Sequence, residues 1–309
     1  MGGARRPGAG LGTRCSARAQ NVTCGATPFR TAPPPPTLPE SRMPRPTPLA
    51  GHIAVVTGAS AGIGAACARR LAAEGMHVAL GARRLERLQT LADELRRAHG
   101  VRTLAVALDV TDPESVAAFG EAVDAFAGED GVHLLLNNAG MARGVVRIPD
   151  ATRADEDDWE RMLAVNVMGL LRTTRRFIGG MRARDRGHVV NLGSLAGIET
   201  YEGGAVYCAT KASVRVLSRA LRLELLGSRV RVTCINPGMV ETEFSVVRLG
   251  DQQRADAVYA GMTPATAEDV AEAVAWVALQ PLHLNVEELW LQPTDQASAQ
   301  KVHRAGRAP

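Results

Sequence analysis

The chain of 309 residues has no long apolar run, few aromatic side chains and no paired cysteine motif. No hydrophobic stretch approaches the roughly 18 uninterrupted apolar residues of a membrane span, so we expect no membrane partner. Aromatic residues make up 4% of the chain, which leaves little to stack on nucleic-acid bases. The five cysteines lack C-x-x-C spacing and predict neither a disulfide framework nor a metal site. A reduced, cytoplasmic setting fits these absences.

The positive charge of the chain is concentrated at its start. The formal net charge is +4, but residues 1–48 carry seven arginines and one acid, Glu40, so the remaining residues have a net charge of −2. This distribution does not favour a nucleic-acid partner. Residues 1–48 also lack an apolar period and contain the proline run 33–36, which predicts a segment unable to form a core.

Three interpretations of residues 1–48 compete: an organelle transit peptide, a disordered tail, or an over-long gene assignment whose true start is Met43. The absence of an amphipathic helical stripe favours the last two. We therefore expect a disordered or mis-assigned extension over residues 1–48 and one folded domain over residues 49–309. The hydrophobic content of 46% is ample for a core of that size.

Seven short aliphatic runs alternate with longer amphipathic segments after residue 50. This alternation predicts a parallel sheet covered by helices on both faces. The expected fold class is α/β, with a Rossmann-type doubly wound parallel sheet whose ligand crevice lies at the carboxyl ends of the strands. The predicted strands span residues 53–58, 77–82, 102–109, 132–137, 188–193, 230–236 and 286–292.

The motif TGASAGIG (57–64) directly follows the first predicted strand and opens the first helix. Gly58, Gly62 and Gly64 are spaced four and two apart, which is not the common G-x-G-x-x-G order. Glycines let the backbone approach a pyrophosphate, and a helix N-terminus offers free amides and a positive dipole end. We therefore predict a dinucleotide site that also includes Ser60 and Ile63; the alternative is a plain strand-to-helix turn.

The end of the second predicted strand indicates which ribose the site accepts. NAD-specific enzymes place a carboxylate about 20 residues after the glycines; here Ala82 holds that place, and Arg83 and Arg84 follow. A guanidinium pairs with a 2′-phosphate through two parallel hydrogen bonds. We therefore predict NADP(H) as cofactor. The alternative is that both arginines are solvated at a helix start, although cations are disfavoured there.

Six further motifs follow the glycine turn along the chain. They are Asp109-Val110, NNAG (137–140), the Asn166 of AVNVMG, the Ser194 of NLGSLAG, YCATK (207–211) and NPGMVET (236–242). Together with the glycine turn, they resemble the short-chain dehydrogenase/reductase family over residues 50–295. A lone Y-x-x-x-K pair is a weak signal, but seven motifs in order make a chance match implausible.

Lys211 is one of two lysines in a chain with 34 arginines. It follows Tyr207 by four residues, so both side chains share one face of a helix. A phenol with a pKa near 10 is a poor base at neutral pH, and an ammonium about 4 Å away can lower that pKa by about three units. The compact ammonium also reaches ribose hydroxyls, which explains a lysine where a guanidinium is too bulky.

The resemblance implies a role for each motif residue. Tyr207 corresponds to the general acid/base and Lys211 to the residue that tunes it and holds the ribose. Ser194 corresponds to the donor that polarises the substrate oxygen, and Asn166 to the holder of a relay water. For Ser194 or Asn166 alone, a helix cap or a satisfied buried amide is the structural alternative. The remaining implied residues of the cofactor site are Asp109 and Val110 at the adenine pocket, Asn137, which steadies the central strands, Thr242, which contacts the carboxamide, and Ala139, Gly140, Pro237 and Gly238.

The C-terminal third resembles one branch of this family. The segment VEELWLQPTDQ (286–296) is similar to the NADP-dependent branch that oxidises small 3-hydroxy acids, including serine and allo-threonine. Aldehyde reductases that share the PTDQ ending are the nearest rival. The family implies a homo-oligomer, a dimer or tetramer, formed through long helices. A non-catalytic nucleotide-binding regulator is a third possibility, but the intact Ser-Tyr-Lys set argues against it.

A short 3-hydroxy acid needs a cation facing Tyr207 and Ser194, because its carboxylate lies some atoms from the reacting carbon. Arg248 is the first candidate, since the resemblance places its segment over the nicotinamide as a lid. Arg143, after the NNAG turn, is the second. The alternative for both is a solvated surface charge. Arg143, Glu199 and Glu202 depart from the pattern of the branch and leave the substrate open.

Overall fold

The computed structural model describes residues 48–306. The predicted N-terminal extension therefore lies, up to residue 47, outside the described residues, and its boundary stays a prediction. No helix within residues 48–306 combines the length and apolar character needed to cross a membrane.

A parallel sheet of seven strands forms the centre of the described chain, in the order β3-β2-β1-β4-β5-β6-β7. All neighbouring strands are parallel. Each strand coincides or overlaps with a predicted run, so the fold class is confirmed. The strands are β1 Ile53–Thr57, β2 His77–Ala82, β3 Thr103–Ala107, β4 Leu134–Asn137, β5 Gly187–Leu192, β6 Val230–Pro237 and β7 Glu288–Leu291.

Nine α-helices lie between these strands within residues 48–306. The start of α3 shows why a helix begins at this point of the sequence. Pro113 is its first residue, and the side chain of Asp112 caps it by accepting a hydrogen bond from the amide of Glu114. The helices are α1 Gly62–Ala73, α2 Leu85–His99, α3 Pro113–Ala127, α4 Arg153–Leu163, α5 Leu170–Ala183, α6 Ala205–Glu224, α7 Glu243–Leu249, α8 Gln252–Tyr259 and α9 Ala267–Ala278.

Both faces of the sheet carry a hydrophobic core. On β1, Ala54 and Val56 pack with residues of α1, α2 and α9, whereas Val55 packs with residues of α3 and α5. Strands covered on both sides need apolar residues at every position, which is why β1 is buried throughout. The strand order reverses between β1 and β4, so the carboxyl ends of these two strands border the expected crevice.

Two local features were not predicted from the sequence. Residues Ala164–Gly169, between α4 and α5, form a π-helical turn that contains Asn166. Such turns are frequent at functional sites. The expected lid consists of two short helices, α7 and α8, joined by the hydroxyl of Tyr259, which contacts Ser245 Oγ at 2.6 Å and donates to the carbonyl of Val240 at 2.8 Å.

Candidate active site

The glycine turn lies at the carboxyl end of β1 and is closely packed. Gly58 has a φ of +66°, and a Cβ atom there would lie 2.9 Å from the Cα atom of Ala139. A Cβ atom at Gly64 would overlap the carbonyl of Gly58. Glycine is therefore required at both positions for the turn to approach its neighbours.

The first turn of α1 fits an anionic ligand. Its N-cap residue, Ala61, has no side chain able to accept a hydrogen bond from the first amides of the helix. A helix N-terminus without a side-chain cap leaves donors and a positive dipole end open to a phosphate group. Ser60 precedes this start, Ile63 is the second residue of α1, and Gly62 with a φ of +53° packs against Thr242; a cofactor contact of Ser60 or Ile63 stays a prediction.

Thr57 and Asn138 join the glycine turn to the NNAG turn. The Thr57 hydroxyl accepts hydrogen bonds from the amides of Asn138 and Ala139 at 3.1 and 3.0 Å. In return, Asn138 Nδ2 donates to the carbonyls of Thr57 and Gly58 at 2.9 and 3.1 Å. Sequence reasoning gave neither residue a role, although both lie inside the motifs it identified.

The two arginines after β2 lie at the edge of the crevice. Arg84 Nε donates to Ser60 Oγ at 3.2 Å, and its Nη1 pairs with Glu243 at 3.1 Å. Arg87, which the sequence reading did not single out, pairs with the same carboxylate at 2.8 Å. Arg83 is exposed, and its charge helps to hold the pKa of Asp109 below the usual range, after the stronger hydrogen bond from Thr111.

Asp109 and Val110 shape the turn that follows β3. Asp109 Oδ1 accepts hydrogen bonds from the amide and the hydroxyl of Thr111 at 2.9 and 2.7 Å. Val110 is buried against the π-helical turn, since a Cβ atom at Gly169 would lie 2.6 Å from its side chain. Both residues thus lie beside the crevice, and their contact with adenine stays a prediction.

Tyr207 and Lys211 lie on the same face of α6, as their spacing predicted. Lys211 is buried, and its Nζ donates to the carbonyl of Leu192 at 2.8 Å and lies 5.9 Å from the centre of the Tyr207 ring. A Cβ atom at Gly140 would lie 3.7 Å from this Nζ, so the ammonium also borders the NNAG turn. Burial lowers the pKa of Lys211 to about 8.

The electrostatics of Tyr207 differ from the expectation. Burial raises the pKa of its phenol, which outweighs the opposing effects of the hydrogen bond with Ser194 and the charge of Arg248. The net direction is therefore opposite to the lowering of the phenol pKa that was expected from Lys211. In the described structure Tyr207 therefore holds its proton at neutral pH.

Ser194 and Asn166 both lie beside this pair and both have structural roles as well. Ser194 Oγ accepts a hydrogen bond from the amide of Ala196 and so caps a short 3-10 helix. Asn166 is buried; its Nδ2 donates to Met141 O at 2.8 Å and Thr210 Oγ1 at 3.0 Å, while its Oδ1 accepts from the Met141 amide. Because both amide hydrogens are used, the side chain keeps only acceptor capacity for the predicted water.

Asn137 fixes the central strands, as the resemblance implied. Its Nδ2 donates to Asn191 Oδ1 on β5 at 2.8 Å and to Thr174 Oγ1 on α5 at 2.9 Å. Its Oδ1 accepts from the hydroxyl of Thr173 at 2.6 Å. These bonds occupy both amide hydrogens, so the side chain acts on the crevice through the position of β4.

The PGM turn after β6 is held by the PTDQ segment. Gln296 Oε1 accepts a hydrogen bond from the amide of Met239 at 2.7 Å, and a Cβ atom at Gly238 would overlap it. Pro237 ends β6, and Thr242 caps α7 by accepting from the amide of Phe244. The C-terminal motif that suggested the branch therefore positions the segment that leads into the lid.

The helix α7 covers Tyr207. The ring of Phe244 lies 5.9 Å from the ring of Tyr207, centre to centre, and the guanidinium carbon of Arg248 lies 5.8 Å from the same ring. Arg143, Arg248 and Tyr207 line one cavity. Arg143 also donates to the carbonyl of Val247 at 3.3 Å, so part of its guanidinium is used to hold α7.

The two unusual glutamates of the loop after Ser194 have partners away from the phenol. Glu199 accepts a hydrogen bond from the amide of Ala299 at 2.6 Å, which fixes the loop to the C-terminal segment. Glu202 pairs with Arg147 at 3.3 Å. The charge of Glu202 is thus partly balanced by Arg147, whereas Glu199 keeps its negative charge.

The low pKa of Lys211 predicts a pH-dependent stability. Its pKa falls from 10.5 to about 8 on folding, so between these values the unfolded state binds more protons and the free energy of unfolding rises with pH. We expect the wild type to gain about 2 kcal/mol relative to Lys211→Met between pH 7 and pH 9.5, measured by urea unfolding. A constant difference between the two proteins would show that Lys211 titrates normally.

The family model for short chain dehydrogenase matches residues 52–253. An uncharacterized oxidoreductase of Mycobacterium tuberculosis is 48% identical over 251 residues, which cover 81% of this chain and 94% of that protein. An NADP-dependent 3-hydroxy acid dehydrogenase of Salmonella typhi is 43% identical over 256 residues, 82% of this chain and 100% of its own. The closed form of a serine dehydrogenase complexed with NADP+ has a TM-score of 0.74 and 42% identity, and the match covers 82% of this chain and 99% of that one. Motifs, topology and these matches agree with the resemblance, and the chain belongs to the short-chain dehydrogenase family.

Proposed function

We propose that the chain is an NADP-dependent oxidoreductase that interconverts a small alcohol and its carbonyl compound, with a short 3-hydroxy acid as substrate. The observation that carries this proposal is a cavity lined by both Tyr207 and the cation Arg248. The similar proteins named as a 3-hydroxy acid dehydrogenase and a serine dehydrogenase support the same substrate class.

The residues around the glycine turn fit NADP(H). The uncapped start of α1 suits the pyrophosphate, and Arg83 and Arg84 stand where a 2′-phosphate needs a cation. The NADP+ bound to the similar serine dehydrogenase agrees with this assignment. When bound, NADP(H) supplies or accepts the hydride, while Lys211, near Gly140, holds the ribose.

Tyr207 and Ser194 handle the proton at the substrate oxygen. Because burial raises the pKa of Tyr207, the phenol is protonated and acts as the general acid when a carbonyl is reduced. Ser194 donates a second hydrogen bond to the same oxygen and stabilises its developing negative charge. In oxidation the phenol first gives its proton to solvent; the phenolate, stabilised by the nearby charge of Arg248, then takes the hydroxyl proton.

A general aldehyde/ketone reductase is the alternative function. It would use the same Tyr207, Ser194 and Lys211 but would need no cation for a carboxylate. A non-catalytic nucleotide-binding regulator fits less well, because these three side chains lie together in the described structure.

We also propose a homo-oligomer, a dimer or tetramer, formed through the long helices, and a cytoplasmic location. Large apolar side chains are exposed on or beside α4, α5 and α6, and such surfaces mark protein interfaces. The free thiols of Cys67, Cys208 and Cys234 fit a reducing compartment. The exposed apolar residues are Leu163, Met168, Leu171, Val216, Leu223 and Leu226.

Replacing Tyr207 by phenylalanine should abolish turnover and leave NADPH binding nearly unchanged. The substitution removes the proton donated in the transition state but keeps the ring that contacts Phe244. Single-turnover kinetics and NADPH fluorescence titration would measure the two effects. Substantial turnover by Tyr207→Phe would contradict the proposed mechanism.

The arginines after β2 should determine cofactor choice. Arg83→Ala and Arg84→Ala should each raise the KM for NADPH far more than that for NADH. The binding free energy lost with a charge-assisted hydrogen bond to the 2′-phosphate is about 1.5–3 kcal/mol. Arg97→Ala, at the opposite end of α2, is the matched control and should change neither constant. A wild type that prefers NADH would show that both arginines have been misinterpreted.

Arg248 should discriminate acids from neutral substrates. On Arg248→Ala we expect kcat/KM to fall about 10- to 100-fold for a carboxylate substrate, or about 1.4–2.8 kcal/mol, with little change for an uncharged aldehyde of similar size. Arg143→Ala tests the second candidate in the same assay. Equal losses on both substrates would assign Arg248 to lid structure, and no loss on either would favour the general reductase.

A further inference from the structure

Two polar groups near Tyr207 are buried without a hydrogen-bond partner. They are the hydroxyl of Tyr201 and the Nε of Arg248. A buried donor without an acceptor costs about 1–3 kcal/mol, so two of them side by side indicate a place that a ligand acceptor completes. Within residues 48–306 no carboxylate forms an ion pair with Arg248.

These two donors belong to one cluster with the reacting phenol. The guanidinium carbon of Arg248 lies 5.3 Å from the ring centre of Tyr201 and 5.8 Å from that of Tyr207. The guanidinium therefore contacts the faces of both rings, and the Tyr201 phenol is near enough to help raise the pKa of Tyr207. A ligand held by Arg248 and Tyr201 would lie beside the oxygen that Tyr207 protonates.

The Tyr201 ring is fixed in this position by the backbone. A Cβ atom at Gly204 would overlap the ring, so the glycine allows the loop to fold directly onto it. The same loop leads into α6, which carries Tyr207. The position of the Tyr201 hydroxyl therefore depends on the loop that leads into α6, the helix of Tyr207, and not on the position of α7.

We propose that Tyr201 is a second substrate-binding residue, whose hydroxyl and the Arg248 guanidinium together hold the carboxylate of a short 3-hydroxy acid. This inference rests on the proposed function and deepens it. A carboxylate accepts several hydrogen bonds, and a neutral donor beside a cation adds direction without further charge. Burial raises the pKa of Tyr201, so its hydroxyl keeps the proton it must donate at neutral pH.

The structural alternative for Tyr201 is support of the core beneath Tyr207. Arg248 and the buried thiol of Cys208 both lie near its hydroxyl: the charge of Arg248 opposes the rise in the pKa of Tyr201 that burial causes, and Cys208 adds to that rise. A hydroxyl with only that role would matter equally for every substrate. A carboxylate ligand makes the effect of the hydroxyl depend on whether the substrate carries a charge, and this difference can be measured.

The test compares Tyr201→Phe with the wild type on 3-hydroxybutyrate and on its uncharged amide, 3-hydroxybutanamide, with NADP+ as cofactor. The substitution removes one oxygen and keeps the ring against Gly204 and Arg248. We expect kcat/KM to fall about 5- to 30-fold on the acid, mainly through KM, and less than twofold on the amide. Thr103→Val is the control, because its hydroxyl is bonded to the carbonyl of Ala92 at the start of the edge strand β3 and should not affect the acid-to-amide ratio.

The Tyr201→Phe/Arg248→Ala double variant gives a second readout. If both side chains hold one carboxylate, the double variant should lose less than the product of the two single losses. Equal losses of Tyr201→Phe on acid and amide, or no loss on either, would overturn the role of Tyr201. In those outcomes a selective loss in Arg248→Ala would leave the proposed function standing. A wild type that oxidises the amide as well as the acid would overturn both.

Discussion

The hydrogen bonds between Thr57 and Asn138 hold the two turns that face each other where the strand order reverses. Thr57 uses its hydroxyl fully: it donates to the carbonyl of Leu136 and accepts two amides of the NNAG turn. The Asn138 side chain in turn donates hydrogen bonds from Nδ2 to the carbonyls of Thr57 and Gly58. Because these groups are buried or partly buried, losing one partner would leave several others unsatisfied. The glycine turn leads directly into α1, and the NNAG turn borders the ammonium of Lys211. The start of α1 and the surroundings of Lys211 therefore both depend on this junction.

Burial shifts the pKa values of Tyr207 and Lys211. Tyr207 and Lys211 are removed from water, and desolvation favours the neutral form of each, so the pKa of the phenol rises while that of the ammonium falls. Charges close to Tyr207 and Lys211 can therefore favour the charged form of either group again. Arg248 is the nearer source of positive charge on the lid side, and the phosphates of a dinucleotide would favour the charged form of Lys211. Protonation at this site is thus linked to occupancy and lid position.

Much of this architecture could be predicted from local patterns. The inner strands could be predicted because a strand buried on both faces must be largely apolar, and the relation between Tyr207 and Lys211 follows from helical spacing. Contacts between distant segments could not be predicted in this way. Gln296 supports Met239 across 57 residues, and Asn138 reaches Thr57 across 81; nothing local in either sequence indicates the partner. The prediction of a lowered pKa for Tyr207 was wrong for the same reason. Residue spacing indicates which side chain is a neighbour, but not how strongly the fold excludes water from the phenol.

The short helix α7 connects the two ends of the site. At its start, Glu243 pairs with Arg84 and Arg87 beside the glycine turn, while its later residues Phe244 and Arg248 lie over Tyr207. The ion pairs are exposed, so each contributes little free energy by itself. Their effect is geometric, because they hold the start of the helix that carries Arg248, so a ligand that competes for Arg84 would also change the support of Arg248. The arginine proposed for the cofactor and the arginine proposed for the substrate are therefore connected through one short helix, and specificity at one end is not independent of the other.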